Sequence, residues 1–136
     1  MSTSEQNPLP EADSATALPW QLLTGLELFN AREFFESHEA LEDAWRAEPG
    51  PIRELYQGIL QAAVSYLHIT HQNYPGATIM AQRSQKKLAK FPDTCLGIDI
   101  AALRRDLETA IAEIERLGPQ RMAEFDVSLF KPVIRK

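Results

Sequence analysis

Two ionisable residues, His38 and Glu42, stand four positions apart in a segment that is otherwise rich in large apolar residues. At about 100° per residue, one narrow stripe of this segment carries His38 together with three apolar residues, Phe34, Leu41 and Trp45. Glu42 lies just beside the stripe. Because a buried carboxylate without a partner is costly, Glu42 requires a cation, a donor network or a metal nearby. An imidazole one helical turn away could share that partner.

The other acidic residues of the segment lie away from this stripe. Glu36 and Asp43 fall on the opposite face, where we expect them to be exposed. Glu39 lies on the flank, and a solvated face is its simplest role. From that flank it could also orient a metal-bound water, which makes it the candidate catalytic residue. Trp45 is interpreted mainly as a core anchor whose indole N–H finds one acceptor.

A later segment carries a complementary polar line, formed by Gln57, Gln61 and His68. Apolar residues cover most of the circumference of the same helix, so we expect the helix to be central in a bundle and the line to be buried. Buried polar groups need partners. We therefore predict that His38 and Glu42 face inward and that their side chains lie close to this line.

The connection between the two segments sets the expected order of these contacts. It contains only about four residues around Pro49-Gly50, which favours an antiparallel pair of helices. Glu42 should then lie nearer Gln57 or Gln61, and His38 nearer Gln61 or His68. Because Gln57 and His68 are about 16 Å apart along the helix axis, one ion cannot contact both.

Two functions are compatible with this arrangement. In the first, His38, Glu42 and His68 hold zinc, manganese or ferrous iron, and Gln57 or Gln61 and water complete the shell. A bound water could then serve as the nucleophile of a hydrolase. The chain lacks both His-Glu-x-x-His and the repeated Glu-x-x-His of di-iron bundles. In the second, the chain is a non-enzymatic binding or scaffold module, and the same residues form a buried structural network.

Helices must position these residues. Helical periodicity extends from Trp20 to about Leu117 without sustained β-type alternation, so we predict an all-α fold, a single compact bundle of about five helices, and no sheet. The predicted helices cover roughly residues 20–29, 31–47, 51–72, 75–90 and 99–117.

The flanks of the predicted helical domain (residues 20–118) differ from it in composition. Residues 1–19 contain almost no large apolar side chain and predict a disordered leader. The tail, residues 119–136, contains enough apolar residues to lie across the bundle. The sequence leaves open whether the tail packs there or binds a partner.

Several motifs occur in a characteristic order: Phe29-Asn30, the segment from Phe34 to Trp45, Gln57 to Ala63, His68, and Asn73-x-x-Gly76-Ala77. Over about residues 22–90 the chain resembles the domain-of-unknown-function family 309 (DUF309). The signature of that family is a His, three residues, a Glu, two residues and a Trp or Tyr, which His38, Glu42 and Trp45 match. The resemblance implies an all-helical prokaryotic protein with a proposed metal-binding His/Glu motif. The resemblance also indicates that Asn30 supports this site.

The composition of the chain indicates which partners and which compartment to expect. The 136 residues include 14 Lys and Arg against 19 Asp and Glu, and this acidic balance argues against nucleic-acid binding. No apolar run reaches about 18 residues, so no membrane partner is expected. A single cysteine, Cys95, excludes an intrachain disulfide and fits a reducing compartment. The start of the chain has no signal-peptide pattern, and we expect a cytoplasmic protein.

Overall fold

The computed structural model describes residues 18–136. The predicted leader therefore lies outside the described residues, except for its last two. Leu18 packs against the hydrophobic core. Pro19 is the N-cap of the first helix, and its carbonyl accepts a hydrogen bond from the Leu23 N–H at 3.1 Å.

The described residues form five α-helices, and the all-α prediction is confirmed. They are α1 (Trp20–Asn30), α2 (Phe34–Ala47), α3 (Arg53–Thr70), α4 (Tyr74–Leu88) and α5 (Ile100–Leu117). Asp99 is the N-cap of α5, because its carboxylate accepts a hydrogen bond from the Ala102 N–H at 2.9 Å. Among these helices, none combines the length and apolar character that a bilayer crossing requires.

The prediction that the chain has no sheet is wrong at one place. Strands β1 (Thr94–Cys95) and β2 (Ile98–Asp99) pair antiparallel between α4 and α5. The two turn residues, Leu96 and Gly97, have φ values of 54° and 73°, as the tightest hairpin turns require. Strands of two residues are too short to show alternation, and this is why the sequence pattern did not reveal them.

The tail packs on the bundle, which decides the question that the sequence left open. It contains two short 3-10 helices, Pro119–Glu124 and Val127–Leu129. Four of its apolar side chains are buried: Met122, Phe125, Phe130 and Val133. Its end also extends the hairpin, because the Asp99 N–H donates to the Ile134 carbonyl at 2.8 Å and the Lys136 N–H donates to the Gly97 carbonyl at 2.6 Å.

Aromatic rings connect this tail to the helices. Phe34 lies 5.5 Å from Phe29 and 5.4 Å from Tyr66, measured between ring centroids. Phe130 of the tail lies 4.8 Å from Tyr66 and 4.9 Å from Phe125. The cluster thus joins α1, α2, α3 and the tail in one core, with the edge-on and tilted geometries that aromatic rings prefer.

Helices α1 and α2 approach closely at Gly25. The Ser37 hydroxyl of α2 donates to the Gly25 carbonyl of α1 at 2.7 Å, and Ser37 is fully buried. A Cβ atom at position 25 would lie 2.6 Å from the side chain of Leu41. Position 25 therefore requires glycine for packing, not for backbone conformation.

Helices α3 and α4 are joined by two hydrogen bonds of the same kind, each from a serine hydroxyl to a backbone carbonyl. The Ser84 hydroxyl donates to the Gly58 carbonyl at 2.6 Å, and the Ser65 hydroxyl donates to the Ala77 carbonyl at 2.8 Å. Both serines are fully buried. A Cβ atom at Gly58 would lie 2.9 Å from Leu88 of α4. Small residues and buried hydroxyls thus hold α4 unusually close to α3.

We predict that Gly25→Ala lowers the free energy of unfolding by about 1–2 kcal/mol, although alanine is the better helix former. Overpacking against Leu41 costs about 1–3 kcal/mol, which exceeds the gain of up to about 1 kcal/mol in helix propensity. Urea denaturation measures the change. Glu27→Ala, at an exposed position of α1, is the control and should change stability by less than about 0.5 kcal/mol. A more stable Gly25→Ala protein would contradict the close packing.

Candidate functional site

Helix α2 places His38 and Glu42 on the same side but at different depths. His38 is half-buried, and its Nδ1 atom is enclosed without a hydrogen-bond partner among residues 18–136. The Glu42 side chain is 34% exposed and accepts a hydrogen bond from Arg46 Nη2 at 3.2 Å. The cation that Glu42 requires is therefore supplied by the next turn of α2, at the rim of the helix and not in the core.

The remaining acidic residues of α2 lie in solvent. Glu36 and Asp43 are exposed, as predicted. Glu39, the candidate catalytic residue, is exposed as well. Its position agrees with the simpler interpretation of a solvated face.

Trp45 anchors the turn between α2 and α3. It packs partly buried against the core, and the Arg53 guanidinium lies 4.5 Å from the centroid of its ring. Arg53 Nε also donates to the Trp45 carbonyl at 3.4 Å. This cation–π contact supports the interpretation of Trp45 as an anchor. The expected acceptor for the indole N–H is not found among the described residues.

The predicted antiparallel pairing of α2 and α3 is present. Phe34 contacts Tyr66 at one end of the pair, and Trp45 contacts Arg53 at the other. This register brings the turn that holds Gln61 level with His38. It does not by itself bring the two side chains together, because α4 packs on the stripe of α3 that carries Gln61.

The three residues of the polar line on α3 differ in their contacts and in their burial. Gln61 and His68 share a stripe with Gly58 and Ser65, the residues through which α3 packs on α4. Gln61 is 9% exposed, and its Oε1 atom is enclosed without a partner in the described part. Gln57 is half-buried. No hydrogen bond joins any of the three to α2 within residues 18–136, so the expected network between α2 and α3 is not formed.

His68 belongs to the start of α4. Its Nδ1 atom lies 3.3 Å from Asn73 Nδ2, and Asn73 caps α4 by accepting the Gly76 N–H at 3.0 Å. A Cβ atom at Gly76 would lie 2.8 Å from the imidazole. Burial lowers the pKa of His68 below its ordinary 6.5, and the nearby charge of His71 lowers it further. His71 itself is exposed at the end of α3, as expected.

The three predicted metal ligands are not brought together. His68 lies about two helical turns, roughly 10 Å, beyond Gln61 along α3. Within residues 18–136 no group of three or more His, Cys, Asp or Glu side chains could hold a metal ion. In this arrangement the residues do not fit a centre formed by His38, Glu42 and His68. Binding of zinc, manganese or iron stays a prediction.

Asn30, a predicted supporting residue, holds the tail. Its Oδ1 atom accepts the Val133 N–H at 2.7 Å, and its Nδ2 atom donates to the Val133 carbonyl at 3.2 Å. The amide thus pairs with one residue of the tail as a neighbouring strand would. Its role in the structure is to fasten residues about a hundred positions away in the sequence.

A cleft of about 780 Å³ lies between α4 and α5, and sequence reasoning missed it. We call it the α4–α5 cleft; residues 78–85 and 101–115 and Asp93 contribute to its lining. Its charged residues on α5 are Arg104, Arg105, Glu108 and Glu115. A helical pattern separates apolar from polar faces but does not show where two helices diverge, so it did not reveal this cleft.

Gln85 orients one of these arginines. Its Nε2 atom donates to the Arg104 carbonyl at 2.8 Å, and its Oε1 atom accepts from Arg104 Nε at 3.2 Å. Neither Arg104 nor Arg105 forms an ion pair with a carboxylate of the described residues. The terminal N–H groups of a guanidinium held in this way suit a carboxylate ligand.

Part of the chain matches a known protein family. Residues 22–80 match the family model described as a domain of unknown function, DUF309. The resemblance to DUF309 is therefore confirmed for residues 22–80. The match covers α1, α2, α3 and part of α4, so the α5 wall of the cleft lies outside the matched residues.

Two bacterial relatives extend the comparison. The chain is 31% identical over 96 residues to the uncharacterized protein YpuF of Bacillus subtilis (strain 168), covering 68% of this chain and 55% of that protein. It is 24% identical over 95 residues to an uncharacterized protein of Aquifex aeolicus (strain VF5), covering 69% of this chain and 28% of that protein. The aligned region thus spans about half of the first relative and just over a quarter of the second.

We predict that Asn30→Ala loosens the tail. Loss of both amide hydrogen bonds should cost about 1–2 kcal/mol of unfolding free energy and accelerate hydrogen exchange at the amides of residues 130–135. Asn30→Asp is the matched control, because it retains an acceptor for the Val133 N–H and should retain part of the protection. Unchanged exchange in Asn30→Ala would show that the apolar contacts alone hold the tail.

We predict that His68 makes stability depend on pH. Its pKa is lowered on folding, so the folded chain binds this proton less tightly than the unfolded chain does. The stability contributed by neutral His68 is then fully present above about pH 6.5 and is lost as the pH falls below that value and through the lowered pKa of the folded state. His68→Gln should flatten this part of the profile in urea unfolding between about pH 5 and 7.5. His71→Gln is the control and should retain most of the dependence.

Proposed function

We propose that this DUF309-domain chain is a non-enzymatic binding module, with the α4–α5 cleft as its binding site. The observation that carries the proposal is the guanidinium of Arg104, which Gln85 orients at the cleft and which pairs with no carboxylate of the described residues. A charged group held in place beside an apolar surface is typical of a ligand site.

The chemistry of the cleft favours binding over catalysis. Its lining residues supply guanidinium, carboxylate, amide and apolar groups, and the set includes no His, Cys, Ser or Lys. The one hydroxyl, that of Thr78, donates within α4 to the carbonyls of Tyr74 and Pro75. The cleft therefore has no Ser, Cys or Lys nucleophile and no His base, and its carboxylates, guanidinium groups and amides can hold a ligand by charge and hydrogen bonding.

The predicted site residues have structural roles in this proposal. Trp45 holds the start of α3 through Arg53, His68 packs on the cap of α4, and Asn30 holds the tail. These contacts maintain the helix arrangement from which the cleft results. Glu42 is paired at the surface, where an ion pair contributes little to stability.

A divalent metal bound by His38 and Glu42 is the second candidate, with metal-assisted hydrolysis as the associated activity. One observation favours it, namely the enclosed Nδ1 atom of His38, which lacks a hydrogen-bond partner among residues 18–136. It requires further ligands that the described side chains do not supply at this place.

Metal analysis combined with two substitutions separates the candidates. We expect the purified chain to contain no stoichiometric metal, and its melting temperature to be unchanged by added zinc or manganese. We expect His38→Ala to lower the unfolding free energy by about 1–3 kcal/mol, because it removes a half-buried ring. Glu42→Gln is the matched control; it removes the charge at nearly constant volume and should cost less than about 1 kcal/mol.

The opposite pattern would support the second candidate. Stoichiometric metal that is lost in both His38→Ala and Glu42→Gln, or a melting temperature that rises with metal only in the unsubstituted chain, would overturn the structural role of this region. These measurements do not involve the cleft, so they decide between a metal centre and a structural role for His38 and Glu42 independently of any ligand of the cleft.

A further inference from the structure

We propose that the α4–α5 cleft binds one amphipathic α-helix of a partner protein. The bound helix carries an apolar stripe, acidic residues at the end that lies over Arg104 and Arg105, and a basic residue at the end that lies over Glu115. This inference names the ligand class of the proposed binding module and rests on that proposal.

The length of the cleft suits a helix. Its α5 wall extends from Ala101 to Glu115, which corresponds to about 21 Å at 1.5 Å per residue. A partner helix of about 14 residues, or four turns, covers the same distance. The α4 wall, from Thr78 to Gln85, is shorter, and the cleft has a volume of about 780 Å³.

The walls of the cleft favour a helix over an extended segment. Both walls are α-helices, whose interior backbone N–H and C=O groups are already paired within each helix. An extended segment lying between them would find no strand edge to pair with, so its backbone would contribute no hydrogen bonds to the protein. A helix satisfies its backbone internally and can offer side chains alone.

The floor of the cleft allows a helix to approach. Ala101 is half-buried and Ala112 is exposed, and both are small enough to admit ridges of side chains from a neighbouring helix. Ile111 is half-buried and offers an apolar contact between them. An amphipathic helix buries its own apolar stripe against such a surface.

The charges of the α5 wall are separated along its length. Arg104 and Arg105 lie near the start of α5, Glu108 lies one turn further on, and Glu115 lies in its last turn. Asp93, before the helix, adds one carboxylate near the arginines. A negative charge in the last turn is mildly unfavourable for α5 itself, so helix stability does not explain its position. Complementary charges on a partner would set the direction of the bound helix.

The experiment uses the full chain and a synthetic helical peptide of about 14 residues. The peptide has a leucine stripe, glutamates at one end and lysines at the other. A scrambled peptide of the same composition lacks the stripe. Binding is followed by fluorescence anisotropy, and the contact surface is mapped by amide chemical shifts. We expect saturable binding of the first peptide only, with shifts confined to residues 78–85 and 101–115.

Two tryptophan substitutions on α5 form a matched pair. Ala112→Trp fills the cleft from an exposed lining position and should weaken binding at least about tenfold. Thr109→Trp, at an exposed position that does not line the cleft, should change the affinity by less than about twofold. Arg105→Glu should weaken binding about tenfold by reversing one charge. Circular dichroism of each variant confirms that the fold is retained.

Several outcomes would overturn the inference. Equal binding of both peptides, shifts outside the cleft, or an affinity unaffected by Ala112→Trp would exclude a helix in this cleft. A concentration-dependent dimer that Ala112→Trp dissociates would assign the cleft to a second copy of the chain. Shifts of the same residues by succinate, at an affinity equal to that of the peptide, would assign it to a small organic anion. None of these results alters the metal and His38 measurements that test the proposed function.

Discussion

The close approach of neighbouring helices at Gly25 and Gly58 is the constraint on which the rest of the structure depends. At both positions a buried serine hydroxyl of the adjacent helix donates to the glycine carbonyl, and a Cβ atom would collide with a leucine. A hydroxyl so placed satisfies its own hydrogen bonding inside the core, where an unpaired polar group would be costly. The helix pairs α1–α2 and α3–α4 are thus held at short distance by packing and hydrogen bonding together.

This short distance explains where the polar residues of α3 lie. Because α4 packs against the stripe of Gly58 and Ser65, it also covers Gln61 and His68, which occupy the same stripe. Within residues 18–136 these side chains therefore form no hydrogen bond with α2. His38 and Glu42 are left at the margin between α2 and solvent, and Glu42 pairs with Arg46 instead. The packing of α4 on α3 thus separates residues that the helical pattern alone would place in one site.

Helix α5 has no comparable serine and glycine contact with α4. The two helices are joined through Gln85 and Arg104, which hydrogen-bond to each other and line the cleft. The tail, in turn, is secured by the Asn30 amide and by the rings of Phe125 and Phe130. The bundle consequently has a tightly packed half, α1 to α4, and a more open side at which a ligand can be held.

The sequence by itself determined the five helices, because apolar periodicity, the Pro49-Gly50 break and the Asp99 cap are local signals that tertiary contacts did not override. It also determined that α2 and α3 are antiparallel, since their connection is short. Tertiary structure alone decided that the tail packs on the bundle, that a two-stranded hairpin precedes α5, and that His68 is separated from His38. The physical reason is that a helical wheel gives the direction of a side chain around its own helix, whereas the neighbour it meets depends on how closely the other helices can approach.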